Sequence, residues 1–122
     1  MLKANELRIG NIVYDPINKS NIQVRQEVLC DFANGYVNLE PIPLTEEWLI
    51  KFGFEVEYNS EYTKRFSLDN ERNDFIWVYT YRKHNSTEFL EYGGRVLGCK
   101  YVYQLQNLYF ALTGEELTIN NL

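Results

Sequence analysis

The residues that could take part in catalysis or metal binding are few and far apart. The single histidine, His84, stands beside Lys83 and Asn85 in a predicted turn, and the two cysteines, Cys30 and Cys99, are widely separated. The common zinc spacings need a second histidine or a closely spaced cysteine pair. We therefore interpret His84 as a solvated side chain and both cysteines as buried, reduced thiols, and we expect no metal and no cofactor.

Two pairs of adjacent glutamates, Glu46-Glu47 and Glu115-Glu116, could suggest the paired carboxylates of acid–base catalysis. Such catalysis needs two carboxyl groups that converge in a pocket and differ in pKa. Neighbouring side chains on a helix diverge, so these glutamates are better explained as residues of a helix start, where the helix dipole favours negative charge. Gly93-Gly94 lacks the lysine and hydroxyl residue of a phosphate-binding loop. We expect no catalytic residue and no enzyme activity.

Aromatic residues are unusually frequent, since ten Tyr, seven Phe and two Trp make up 16% of the chain. Tyrosine suits half-buried sheet faces and binding surfaces alike, and we expect most of these rings to pack between a sheet and its helices. A candidate interaction surface combines several of them with polar residues of the last helix: Trp48, Trp77, Tyr79, Tyr81, Tyr103, Gln104 and Asn107. The line Gln104-Gln106-Asn107 is more simply explained as the solvated side of that helix.

Composition is that of a globular protein with an acidic balance. The 122 residues are 45% hydrophobic and 24% charged, and the formal charge is −5. The twelve lysines and arginines form no run, which argues against nucleic-acid and membrane-surface binding. No stretch has the length of a transmembrane helix, and no signal peptide is visible, so we expect a cytoplasmic protein.

The first forty residues predict a three-stranded antiparallel β-meander. Residues 7–14 are rich in β-formers, and residues 15–20 carry the Asp, Pro and Asn of a turn. Alternation of apolar and polar residues then predicts a half-buried strand, with its apolar positions at Ile22, Val24 and Val28. Asn34-Gly35 is a strong hairpin signal, and residues 37–39 resume the alternation. By analogy, this meander could be a small curled sheet of SH3 type.

A short helix with a defined start and end follows the meander. Thr45 is the expected N-cap, and Leu44 packs against Leu49 as a hydrophobic staple. Gly53 is the expected left-handed residue after the last turn, where Phe54 can contact Leu49. A helix of about two turns does not hold alone, so its apolar face must be buried against the sheet.

Residues 55–82 predict a second antiparallel hairpin with a polar turn at residues 69–74. Residues 75–81 give the clearest strand signal in the chain. They are largely apolar on both faces, which favours a central strand. Residues 83–100 are ambiguous, because residues 87–92 could form a strand or one helical turn.

The C-terminal helix is predicted by apolar residues at three- and four-residue spacing: Tyr101, Leu105, Leu108, Tyr109 and Leu112. Two interpretations of its end stay open, and they are compatible with each other through a tight bend into one last turn. Thr113 with Glu116 fits a capping box that starts one further turn, whereas Gly114 fits the left-handed residue that ends the helix. The sequence thus predicts one α+β domain over residues 1–122, with the C-terminal helix packed on the sheet.

Three segments together resemble a known family: residues 6–11 (ELRIGN), 42–54 (IPLTEEWLIKFGF) and 103–117 (YQLQNLYFALTGEEL). The chain resembles small uncharacterised proteins from gut Bacteroides-type bacteria and their phages or mobile elements. The resemblance implies a cytoplasmic, mobile-element context and no particular activity. Its pattern often has a histidine where this chain has Tyr103, which argues against a catalytic or metal-binding role at that position.

These observations lead to three hypotheses of function. The first is a non-enzymatic protein–protein interaction or regulatory accessory protein of a phage or mobile element, with an unknown protein partner or self-association. The second is a nucleic-acid contact through the N-terminal meander, and the third is a small-molecule or hydrolase-like pocket under the sheet. The acidic charge, the aromatic content and the missing catalytic motifs favour the first.

Overall fold

The computed structural model describes residues 2–59, 63–68, 76–81, 86–92 and 95–119. The chain forms two compact units, one of residues up to Ile42 with Tyr101–Glu116, the other of Pro43–Lys100 with Leu117–Ile119. Both units contain helices and antiparallel strands, so the predicted α+β class is confirmed. The expectation of a single domain stays a prediction.

The sheet of the first unit is a two-stranded antiparallel hairpin. Strand β1 (Ile12–Asp15) pairs with β2 (Ser20–Gln23), and a 3₁₀ turn at Ala4–Glu6 precedes them. On the other edge of β1, Tyr14 exchanges two backbone hydrogen bonds with Glu40, each of 2.9 Å. Backbone groups two residues apart share one edge of a strand, so the Ile12 N–H points to the same side as that of Tyr14.

A helix stands where the sequence predicts the end of the second strand of the meander and the approach to its hairpin. Helix α1 (Gln26–Ala33) packs its apolar positions, Val28, Leu29 and Phe32, against the core. Asn34-Gly35 ends this helix and makes no hairpin, because Gly35 has φ +80° and its N–H bonds Phe32. Asn-Gly favours left-handed backbone in either setting, so the dipeptide alone does not distinguish a hairpin from a helix end. The predicted antiparallel pairing of the first two strands around the turn at residues 15–20 is confirmed, but the three-stranded meander is wrong, and its SH3-type analogy loses its basis.

Helix α3 (Val102–Thr113) completes the first unit, contacts β1 and confirms the predicted C-terminal helix. Gly114 has φ +77°, and its N–H bonds the Phe110 carbonyl at 2.8 Å. The helix therefore ends at the glycine, and the alternative capping box of Thr113 with Glu116 is wrong. Leu105 and Tyr109 of the predicted apolar stripe are buried, whereas Tyr101, Leu108 and Leu112 are half-buried.

The second unit begins with the predicted short helix, α2 (Glu46–Lys51). Thr45 stands at the N-cap position without a side-chain cap hydrogen bond, while Leu44 and Leu49 are both fully buried. Gly53 has φ +96°, and the Phe54 N–H bonds the Leu49 carbonyl at 2.9 Å. The predicted left-handed helix end is thus confirmed as a Schellman motif.

Five consecutive antiparallel strands form the sheet of the second unit in the order β3-β4-β5-β6-β7. Their bounds are Glu55–Asn59, Thr63–Leu68, Ile76–Tyr81, Ser86–Tyr92 and Arg95–Gly98. The predicted second hairpin is therefore part of a larger sheet, and β5 has the predicted central position. The ambiguous segment is resolved as strand β6. Residues 69–74 and Gly93-Gly94 lie outside the described residues.

No helix in the described part of the chain combines the length and apolar character needed to cross a bilayer. The longest described helix, α3, has 12 residues.

We predict that replacing Gly53 by alanine destabilises the protein by about 1–2 kcal/mol, because an L-residue is strained at positive φ. A Cβ there would meet Leu68 at an ordinary 3.6 Å, so the cost comes from the backbone. Gly98→Ala is the matched control, since Gly98 has open space around it and no positive φ. Urea midpoints followed by tryptophan fluorescence measure both variants. Equal stabilities would contradict the prediction.

Candidate functional site

The side-chain amide of Gln106 takes the place of a neighbouring strand along the edge of β1. Gln106 lies on α3 and is 1% exposed. Its Oε1 accepts the Ile12 N–H at 2.8 Å, and its Nε2 donates to the Gly10 carbonyl at 3.1 Å. The expectation that Gln106 faces solvent is wrong, because two backbone groups satisfy its amide in the interior.

Two asparagines extend this contact into what we term the amide cluster, comprising Asn11, Gln106 and Asn107. Asn11 Nδ2 donates to Asn107 Oδ1 at 2.9 Å and to Gln106 Oε1 at 3.5 Å. Asn107 Nδ2 donates to the Glu6 carbonyl at 3.1 Å. These bonds join the start of the chain to α3 and fix the rotation of the helix about its axis.

Arg8 closes the outer side of the amide cluster. Its Nη1 donates to Asn107 Oδ1 at 3.2 Å, and its Nη2 forms an ion pair with Glu116. The guanidinium carbon lies 3.9 Å from the centroid of the Phe110 ring, which adds a cation–π contact. Glu116 lies beyond the end of α3, so the prediction that Glu115-Glu116 belong to a helix start is wrong.

Glu6 and Tyr103 form a second polar contact between the same two segments. The Tyr103 hydroxyl donates to Glu6 Oε2 at 3.0 Å, and the Lys3 N–H donates to Glu6 Oε1 at 3.0 Å. Burial, together with the hydrogen bond and charge of Glu6, raises the pKa of Tyr103 to about 12. The hydroxyl therefore stays a hydrogen-bond donor at neutral pH.

A cavity of about 220 Å³ lies beside this contact. We term it the tyrosine pocket, and it is lined by Leu2, Glu6, Pro41, Tyr101, Tyr103 and Gln104. The rings of Tyr101 and Tyr103 are stacked, with 6.1 Å between centroids and 12° between planes. Gln104 Oε1 accepts the Tyr101 N–H at 3.2 Å, which holds the first turn of α3 against the pocket. The pocket thus combines aromatic rings with one carboxylate.

Two further cavities, of about 580 and 230 Å³, adjoin each other along residues 37–41. They share Ile17, Asn38 and Leu39, and we term them together the apolar groove. The rest of the lining is mainly apolar: Leu2, Pro16, Ile22, Val28, Phe32, Val37 and Pro41, with Asp15, Asn18 and Glu40. The larger cavity also shares Leu2 and Pro41 with the tyrosine pocket, so all three follow one another on the first unit.

The residues of the predicted interaction surface belong to both units. Trp48 and Tyr103 are 7% and 5% exposed, so neither contributes to an exposed aromatic patch. Trp48 belongs to the second unit and packs beside Phe52, whereas Tyr103, Gln104 and Asn107 belong to the first. Gln104 and Asn107 are half-buried rather than solvated. The other predicted side chains lie outside the described part of the structure: Trp77, Tyr79 and Tyr81.

The two cysteines differ in environment. Cys99 is fully buried, and burial raises the pKa of its thiol to about 12, as expected of an inert cysteine. Cys30 is exposed on α1, so the prediction of two buried thiols is wrong for this residue. The third predicted candidate, His84, lies outside the described residues. Among those described, no three His, Cys, Asp or Glu side chains converge as metal ligands do.

Among the residues that line the groove and the pocket, sequence reasoning singled out Tyr103 and Gln104 for a binding surface and missed the others. Ile17 follows Pro16 in a predicted turn, where no periodic apolar pattern includes it. Glu6 and Tyr101 approach each other only through the fold, and neither belongs to a known motif. The available signal was Ile17 itself, a large apolar side chain between turn residues.

Comparison with protein-family models, with curated proteins and with solved structures finds no match for this chain.

We predict that Gln106→Leu lowers the free energy of unfolding by about 2–4 kcal/mol, because the Ile12 N–H and the Gly10 carbonyl lose a buried partner. Gln23→Leu is the matched control, since exposed Gln23 donates to the same Gly10 carbonyl at 3.3 Å. We expect that control to change stability by less than about 0.5 kcal/mol. Urea unfolding of both variants measures the difference, and a Gln106→Leu protein as stable as the Gln23→Leu protein would refute the role of the amide.

A second prediction concerns pH. The folded pKa of Tyr103, about 12, lies above the ordinary tyrosine value of 10. A raised folded pKa gives a contribution to stability that is complete below pH 10 and is lost as the pH rises through 12. The urea midpoint should therefore fall more steeply in this alkaline range for the native protein than for Tyr103→Phe. Parallel pH profiles of the two proteins would disprove the assignment.

Proposed function

We propose that this chain is a non-enzymatic protein–protein interaction module that binds an apolar segment of a partner protein in the apolar groove. In keeping with the family resemblance, we further propose that it acts as a regulatory accessory protein of a phage or mobile element. The observation that carries the proposal is Ile17, which lines both cavities of the groove although it is 74% exposed.

The position of the exposed Ile17 at the edge of an apolar depression is better explained by a binding role than by chance exposure to solvent. Isolated apolar side chains are common on protein surfaces, but an apolar concavity with such a side chain at its rim is typical of interaction sites. The volume of the larger cavity, about 580 Å³, suits one or two apolar side chains of a partner. Burying an isoleucine side chain contributes about 1.5–3 kcal/mol, which is enough for a measurable share of affinity.

The backbone beside the groove supports a peptide as the occupant. Glu40 uses both its N–H and its carbonyl to pair with Tyr14. This isolated bridge places the segment around Glu40 beside β1, at the edge of the hairpin. An extended partner can bond to such an edge while its side chains enter the cavities.

The polar side chains of the groove do not form a catalytic arrangement. Asp15 Oδ1 accepts the N–H groups of Ile17 and Asn18 at 3.0 and 3.3 Å, and Asp15 Oδ2 accepts Asn18 Nδ2 at 2.7 Å. These bonds shape the turn that carries Ile17. Hydrogen bonds from Asn18 also lower the pKa of Asp15, opposite to the raised pKa of a general acid. The groove therefore supports recognition better than chemistry.

Selection from a library of random peptides displayed on phage tests the proposal. We expect peptides with an apolar anchor to be enriched on the native protein and to lose about ten- to hundredfold in affinity on Ile17→Asp, the cost of the lost apolar contact. Ile50→Asp is the matched control, because Ile50 is 61% exposed and lies on α2 in the second unit.

Three outcomes of this experiment would contradict the proposal. One is that no peptide is enriched on the native protein, and another is that binding is equally sensitive to Ile17→Asp and Ile50→Asp. The third is salt-dependent binding of nucleic acid together with no peptide binding, which would favour the nucleic-acid hypothesis instead.

A further inference from the structure

We propose that the segment held in the apolar groove carries an arginine two positions from its apolar anchor, and that the guanidinium enters the tyrosine pocket to contact Tyr101 and Glu6. This inference rests on the proposed function, because it names the chemistry of the partner that the groove would hold. Its evidence is the composition of the pocket, the charge of Glu6 and the junction between pocket and groove.

The lining of the tyrosine pocket suits a cation. Tyr101 is half-buried and stacks on Tyr103, so the pair offers an aromatic surface at the wall of the cavity. Aromatic faces attract cations, and a planar guanidinium can stack on a tyrosine ring while its N–H groups reach a carboxylate. The same combination already occurs in this unit, where the Arg8 guanidinium lies over Phe110 and pairs with Glu116.

The charge of Glu6 has no cationic partner within the described part of the chain. Each of its oxygens accepts one hydrogen bond, from the Lys3 N–H and from the Tyr103 hydroxyl, and both donors are uncharged. A carboxylate has about four lone-pair sites, so Glu6 can still accept bonds from a guanidinium. A cation is the occupant that both adds hydrogen bonds and compensates the charge.

The surroundings of the pocket add to this preference. Glu40 lines the adjoining groove, is exposed and forms no ion pair with a described residue. The two segments of the first unit, residues 1–42 and 101–116, carry seven Asp and Glu but four Lys and Arg. One of these cations, Arg8, is already paired with Glu116. An arginine-bearing partner is thus complementary in charge to this unit.

The spacing of the partner residues follows from the junction of the cavities. Leu2 and Pro41 line both the larger cavity of the groove and the tyrosine pocket. Side chains two positions apart in an extended peptide lie on the same face, so they can occupy the two adjoining cavities together. A guanidinium is preferred to the ammonium of lysine, because it can stack on Tyr101 and bond Glu6 in a bidentate manner.

The test compares peptides selected on the native protein with those selected on Glu6→Gln and on Glu27→Gln. Glutamine retains an oxygen that can accept a bond from Lys3 or Tyr103 but lacks the negative charge. Glu27 is an exposed residue of α1 outside the pocket, so its substitution removes the same charge as a matched control. We expect arginine two positions from the anchor on the native and Glu27→Gln proteins, and no arginine preference on Glu6→Gln.

Binding of one selected peptide, and of its Arg→Gln version, then measures the coupling by fluorescence anisotropy. We expect Glu6→Gln to weaken the arginine peptide about tenfold and to leave the Arg→Gln peptide unchanged. Tyr101→Leu keeps a packed apolar side chain but removes the aromatic face, and it should also lose the arginine preference. Circular dichroism confirms that each variant is folded.

The outcomes separate this inference from the proposed function. Peptides that depend on Ile17 but show no arginine preference, or an equal loss on Glu6→Gln and Glu27→Gln, would overturn the inference and leave the groove as a binding site. Failure to select any Ile17-dependent peptide would overturn both.

Discussion

The hydrogen bonds of the Gln106 amide to the edge of β1 are the constraint on which the first unit depends. A two-stranded hairpin is marginal in water, and each edge presents backbone groups that need partners. Glu40 pairs with Tyr14 on one edge of β1, and the pairing stops there. Gln106 continues the ladder by bonding Ile12 and Gly10. One side chain from a helix thereby does what a third strand would do.

This contact also sets the position of everything else on α3. The two hydrogen bonds from Gln106 to backbone atoms determine both the position of α3 along its axis and its rotation about that axis relative to β1. Tyr103 lies three residues before Gln106 and so falls near the same helix face, where its hydroxyl meets Glu6. Asn107 is the next residue and meets Asn11, while Phe110 lies one turn later beneath Arg8. The tyrosine pocket is a consequence of this register.

Features with local causes could be predicted from the sequence, and features with distant causes could not. Helix α2 and its end at Gly53 follow from adjacent residues, as does the central strand β5. Helix α1 was missed because Arg25 provides no side-chain cap and because Asn34-Gly35 fits two kinds of turn. The burial of Gln106 depends on Gly10, 96 residues away, so nothing near position 106 distinguishes a buried amide from a solvated one.

The short segment that contains Glu6 and Arg8 shows why the candidate site is where it is. Hydrogen bonds hold both charged side chains in place, but only the charge of Arg8 is compensated by an opposite charge from a described residue. Arg8 meets a carboxylate from Glu116, so its charge is compensated within the chain. Glu6 meets an amide and a hydroxyl, which orient its oxygens and leave its charge in place. A carboxylate whose geometry is fixed by uncharged donors offers a cationic ligand both orientation and charge compensation, with little reorganisation on binding. The same bonds that fasten the start of the chain to α3 therefore also preorganise Glu6 for a partner.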